Sequence, residues 1–139
     1  MLSWLSNLRK QPRRRGDELF GVLTYMGGYW EGAGTFPPTQ TQVEYFISAG
    51  ELGPTDANRE AFQAICNNYP AVLAGASAVI LSTLGLKLGP DDLALSSMDI
   101  PATHLDLASW EISFAGRNGQ LFSVVFEGLH AKGPVDVSG

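Results

Sequence analysis

The sequence predicts an α+β domain: a mostly antiparallel sheet of about five to six strands (three N-terminal, plus a C-terminal hairpin) packed on one long proline-kinked helix. Three observations predict it. Segments near both ends of the chain alternate apolar and polar residues around tight-turn signals. The middle carries one long stretch with apolar residues every three or four positions. Strand patterns and helical pattern are segregated rather than interleaved, which separates α+β from a parallel βαβ architecture. A chain of 139 residues, 45% hydrophobic and 17% charged, is one domain's worth and can bury a core without staples.

The first sixteen residues read as a basic tail, flexible or briefly helical, and residues 17–139 as the single domain. Leu19 to Tyr25 and Trp30 to Phe36 form the first hairpin, with Gly27-Gly28 as its two-residue turn. That register sets Tyr25 opposite Trp30, Leu23 opposite Gly32, Gly21 opposite Gly34 and Leu19 opposite Phe36. Glycines inside a strand mark a close approach, and a large side chain from the helix is the expected occupant, with a ligand as the other candidate. Gln42 to Ile47 is a third strand with Val43, Tyr45 and Ile47 on one side.

Thr55-Asp56 is a helix start, with a side-chain acceptor for free backbone amides and an acid at the positive end of the dipole. Phe62, Cys66, Tyr69, Leu73, Ala76, Ile80 and Leu84 follow at helical spacing. Pro70 interrupts them, which predicts a kink near Cys66–Tyr69 or two helices meeting there. Gly85 ends the run. Pro90-Asp91-Asp92 opens a short helical turn, and Met98 to Ile100 reads as a strand fragment.

The C-terminal hairpin carries its own register. A two-residue Asn118-Gly119 loop would mix apolar and polar side chains on one face. A three-residue loop, Arg117-Asn118-Gly119, sets Phe114 against Phe122, Ile112 against Val124 and Trp110 against Phe126. One face is then wholly apolar, and a one-residue slip would destroy it. A short last strand around Val135 to Val137 pairs with its edge.

Charge is split along the chain. The first fifteen residues hold five of the nine basic side chains and no acid, while the remainder holds four basic and fourteen acidic ones. An acidic body argues against nucleic acid, whose phosphates need Lys and Arg, and for a basic protein partner or simple solubility. The head keeps three readings open: a plain tail, contact of residues 1–15 with a membrane surface through Trp4, Leu5 and Leu8, or nucleic-acid contact. Its apolar residues precede its charges, the reverse of a secretory signal. No transmembrane span is expected, and Ala71 to Leu86 reads as a buried helix. Cys66 is the lone cysteine, in keeping with a reducing, cytoplasmic setting.

Chemistry-bearing motifs are scarce. The chain has no nucleophile-elbow, P-loop, His-Glu-x-x-His or dinucleotide-binding pattern. Glu31-Gly32-Ala33-Gly34 lies inside a hairpin arm, where amides do not converge on a phosphate. The expectation is a non-enzymatic protein-binding module without cofactor or metal. Its candidate contacts are the aromatics Tyr29, Trp30 and Tyr45 and the acids Glu31, Glu44 and Glu111. The alternative is a small enzyme or ligand-binding domain with a pocket between helix and sheet, drawing on His104, Asp106 or the glycine-flanked surface by Trp30.

Two stretches carry a resemblance. Leu19-Phe20-Gly21-Val22-Leu23-Thr24-Tyr25 followed by Tyr29-Trp30-Glu31-Gly32 is similar to the opening of a group of small bacterial proteins of unknown function, in which a Phe-Gly-x-Leu strand turns into a Trp-x-Gly strand. Asn118-Gly119-Gln120-Leu121 and Val125-Phe126-Glu127-Gly128 resemble the terminal hairpin of the same group, as does the Thr55 helix. The resemblance implies an α+β fold, a bacterial cytosolic origin and an immunity-protein-like role: an inhibitor-type binder of a toxin, with no catalytic residues to carry over. The basic head is not part of that pattern.

Overall fold

The computed structural model describes residues 13–139. Its strands are β1 (Arg14–Asp17), β2 (Gly21–Tyr25), β3 (Trp30–Phe36), β4 (Thr41–Ile47), β5 (Leu93–Ile100), β6 (Ser109–Gly116), β7 (Leu121–Glu127) and β8 (His130–Ser138). Two helices, α1 (Asp56–Asn67) and α2 (Tyr69–Leu84), lie between β4 and β5. The eight strands make one sheet in chain order. Each half, β1–β4 and β5–β8, is antiparallel throughout, and the halves meet at a parallel β4–β5 pair. A parallel pair cannot be joined by a tight turn; the two helices supply the crossover.

This corrects the expected five to six strands and single long helix. The strand with no counterpart in the sequence reading is β1. It lies in the arginine run, where no apolar alternation marks it, and it is an exposed edge strand. Arg14, Arg15 and Gly16, assigned to the tail, therefore belong to the sheet, while residues 1–12 of that tail lie outside the described residues. β5 begins at Leu93 rather than Met98, because a register shift between Leu95 and Ser97 breaks its alternation.

The helical stretch is two helices bent by 75°. Thr55 caps α1: its hydroxyl accepts from the Asn58 backbone amide at 3.2 Å, and the Asn58 side-chain Oδ1 accepts from the Thr55 backbone amide at 2.8 Å. The chain breaks at Asn68, and Pro70 sits in the first turn of α2, where a missing N–H leaves nothing unpaired. Gly85 ends α2 in the left-handed conformation at φ +71°.

The C-terminal hairpin has the register its sequence predicts. Phe114 faces Phe122, Ile112 faces Val124 and Trp110 faces Phe126. All six are buried. The Gly116 amide donates to the Gln120 carbonyl at 2.8 Å across the three-residue loop, and Gly119 takes φ +78°. In the first hairpin Tyr25 faces Trp30 and Leu23 faces Gly32 around Gly27-Gly28. The space beside Gly32 is filled by the Leu23 side chain and the Phe20 carbonyl, not by a helix side chain.

One face of the sheet packs on the helices. Phe20, Phe36, Tyr45, Phe62 and Tyr69 meet edge-to-face there, with ring centroids 5.0–6.0 Å apart. Ile65, Val72, Ala76 and Ile80 extend this core toward the second half of the sheet, where α2 lies against β8. Both helices cover the same face, and among the described residues no helix lies on the other. Among the described residues no single helix is long and apolar enough to cross a membrane; the bent pair together has the length and composition.

Candidate functional site

Residues directly opposite in neighbouring strands share a face, so the registers define what the uncovered side presents. One row runs Arg14, Thr24, Glu31, Phe46, Asp99 and, across the β5–β6 pair, Glu111 and Val125. The next runs Val22, Ala33, Glu44, Ser97, Ser113, Ser123 and Asp136. Glu31, Asp99, Glu111, Glu44 and Asp136 thus stand in two adjacent rows, with Arg14 at the far edge. The serine hydroxyls of Ser113 and Ser123 bond each other at 2.7 Å between them.

The acids are not all freely solvated, as an open sheet face would lead one to expect. Burial pushes the Asp99 carboxyl above the usual range, partly offset by the Glu111 amide, which donates to Asp99 Oδ2 at 3.2 Å. Glu111 is raised as well, by its own burial and then by the charges of Asp99 and Asp136. Like charges in a half-buried setting are unfavourable for folding. That marks this corner as the electrostatically strained part of the face.

Beside it lies a cavity of about 740 Å³. The sheet contributes half-buried Phe46 and Asp99, and the loops contribute exposed Tyr29, Ser48, Thr103 and Leu107. Leu107 is 85% exposed, a large apolar side chain left in water. The loop wall is fixed from behind. Asn58, fully buried, donates from Nδ2 to the carbonyls of Ser48 at 3.1 Å and Pro101 at 2.7 Å. The Trp110 indole donates to the Gly128 carbonyl at 2.7 Å, and the Gly128 amide donates to Ala108 at 2.9 Å.

Of the residues singled out in the sequence, Tyr29, Glu31, Glu44 and Glu111 lie on or beside this face. Tyr29 lines the cavity, and its hydroxyl donates to Glu31 at 3.3 Å. The Glu31 charge, more than burial or that bond, raises the Tyr29 phenol. Trp30 and Tyr45 are corrected: they are 2% and 0% exposed and belong to the core under the helices. Strand alternation is the reason, since Tyr45 points the same way as Val43 and Ile47. The Trp30 indole is satisfied by the Gly50 carbonyl at 2.8 Å, whereas the Tyr45 hydroxyl is buried without a partner among the described residues.

His104 and Asp106 line a separate hollow of about 230 Å³ with Glu60, Ala61 and Ala64 of α1. Among the described residues no group of three His, Cys, Asp or Glu side chains is placed to hold a metal. Burial pushes the Cys66 thiol up to about 11, so it is held as the neutral thiol at neutral pH.

The sequence reading missed Phe46, Asp99 and Leu107. Phe46 carried a signal: it is an aromatic at the polar-face position of an alternating strand. The fold and the cavity define a single-sheet α+β domain with one face acidic, grooved and, among the described residues, without helix cover. Comparison with protein-family models, curated proteins and solved structures finds no match for this chain.

Proposed function

We propose that this chain is a non-enzymatic protein-binding module of the immunity type, which neutralises a basic bacterial toxin domain in the cytoplasm by docking it on the uncovered sheet face. The observation that carries the reading is the pair of adjacent carboxylate rows on the face that no helix among the described residues covers. Burial of strained acids against a cationic partner converts an unfavourable charge arrangement into a favourable one. Exposed Tyr29 and Leu107 at the groove supply apolar contact of the kind that anchors interfaces. The resemblance to immunity-like proteins points the same way.

The test is co-expression with the product of the neighbouring gene. The expected result is rescue of growth and a co-purifying complex. The double substitution Glu44→Lys/Glu111→Lys should slow association about tenfold or more at low salt. A neighbouring product that neither harms growth nor binds, or a complex indifferent to the double substitution, overturns the reading.

A further inference from the structure

We propose that the 740 Å³ groove is the seat of an arginine side chain of the partner, whose guanidinium meets Asp99 between the rings of Tyr29 and Phe46. The inference rests on reading the uncovered face as a docking surface and names what its groove receives.

The chemistry of the lining selects the occupant. Asp99 offers a half-buried carboxylate with one oxygen engaged by the Glu111 amide; its other oxygen receives no hydrogen bond from a described residue. Glu111 stands beside it in the same row and Glu31 one strand beyond Phe46, and among the described residues no Lys or Arg lines the groove. The occupant is therefore cationic by charge complementarity. The walls are an aromatic ring from the sheet, Phe46, and one from the turn, Tyr29, whose hydroxyl is already tied to Glu31. A planar guanidinium stacks on such rings while it bonds a carboxylate, and it sheds water more easily than an ammonium. A lysine reaching the same place keeps only the charge. The loop wall is tied back through Asn58, so the groove is formed before the partner arrives.

The experiment titrates the isotope-labelled full chain with a capped Gly-Arg-Gly peptide and with its citrulline and lysine counterparts, following the amides of Tyr29, Phe46, Thr103 and Leu107. The arginine peptide should saturate these shifts, with citrulline weaker by about tenfold and lysine by several-fold. Asp99→Asn should weaken arginine binding by about tenfold, and Phe46→Leu, which leaves the charge in place, by several-fold. Asp91→Asn, away from the face, should leave it unchanged. Equal binding of arginine and citrulline makes the groove an uncharged slot and overturns the proposal. So does equal binding of lysine, or groove shifts that appear on concentration without peptide, which would make a second copy the occupant. If the neighbouring product still binds and Glu44→Lys/Glu111→Lys still weakens it while no peptide does, the docking face stands and the arginine seat alone is lost.

Discussion

Asp17 receives the Arg59 guanidinium at two points, Oδ2 to Nη2 at 2.6 Å and Oδ1 to Nη1 at 3.2 Å. The pair joins the end of β1 to α1, and the carboxylate is 4% exposed against 35% for the arginine. The same Oδ1 accepts the amides of Leu19 at 2.9 Å and Phe20 at 3.1 Å, so one side chain closes the β1–β2 turn and docks it on the helix. Arg59 also lies 5.8 Å from the centre of the Phe20 ring. An edge strand with no apolar face of its own is held by this carboxylate.

Asp17→Asn keeps an acceptor but removes the charge that Arg59 faces. The expected loss is about 2 kcal/mol in urea denaturation, below the range for a fully buried pair because Arg59 is partly solvated. Asp17→Ala should lose more, since two backbone amides then lack their acceptor. Amide exchange should rise first across β1.

The same pair sets an acid limit. Burial alone would raise the Asp17 carboxyl, but the Arg59 hydrogen bond and charge and the two amides together hold it below the usual range. A carboxyl depressed in the folded state contributes stability that is fully present above its unfolded value, about 3.9. That stability is lost as pH falls through the lower folded value. Wild-type stability should therefore drop steeply below about pH 4, and Asp17→Asn should show a shallower drop. Equal slopes for the two proteins would mean that Asp17 is not the group responsible.

Asn58 couples α1 to the groove. Its four polar contacts are the Thr55 amide and hydroxyl and the carbonyls of Ser48 and Pro101. Asn58→Asp sets a carboxylate against two carbonyls and should cost about 3 kcal/mol. The discriminating readout is local: hydrogen exchange over residues 101–108 should accelerate more than exchange in β7.

Two glycines separate backbone strain from crowding. Gly119 has φ +78° and open space around it, so Gly119→Ala should cost about 1 kcal/mol through conformation alone. At Gly32 a Cβ would lie 2.9 Å from the Phe20 carbonyl and collide with the Leu23 side chain. Gly32→Ala should cost up to about 3 kcal/mol in thermal or urea unfolding. Similar losses at both sites would contradict this assignment.

Legibility followed physical constraint. The Trp110–Phe114 and Phe122–Phe126 segments were readable because a single register makes one face apolar, and burial enforces that register. Thr55 and Gly85 were readable because helix ends must satisfy free amides and turn the chain. Pro70 announced a break but not its size, since a first-turn proline is as compatible with a new helix as with a kink. β1 was illegible because its stability comes from Asp17–Arg59 and edge pairing, neither of which leaves a hydrophobic pattern. The groove was legible in part: Tyr29 lines it and Glu31 and Glu111 stand on the face beside it, whereas Asp99 falls within the Met98–Ile100 fragment but only the parallel pairing with β4 sets it beside Phe46. Leu107 belongs to a loop, where no periodicity constrains a side chain.

Asp99 is where the fold should gain stability by losing a charge. Its carboxyl is raised by burial, with partial relief from the Glu111 amide. A carboxyl raised in the folded state adds no penalty at low pH, where it is protonated in both states. As pH climbs from about 4, the unfolded chain ionises first, and folding is progressively penalised until the folded group ionises too. Asn presents the same acceptor to the Glu111 amide without that penalty. Asp99→Asn should therefore melt a few degrees higher than wild type at pH 7 and no higher at pH 3. With the neighbouring charge gone, the Glu111 carboxyl should titrate lower, though still above its ordinary value because burial and Asp136 persist. Melting curves across pH and a carboxyl titration by NMR check both. A variant less stable than wild type at neutral pH would show that the charge is a structural requirement, and would remove the argument that this corner sacrifices stability for binding.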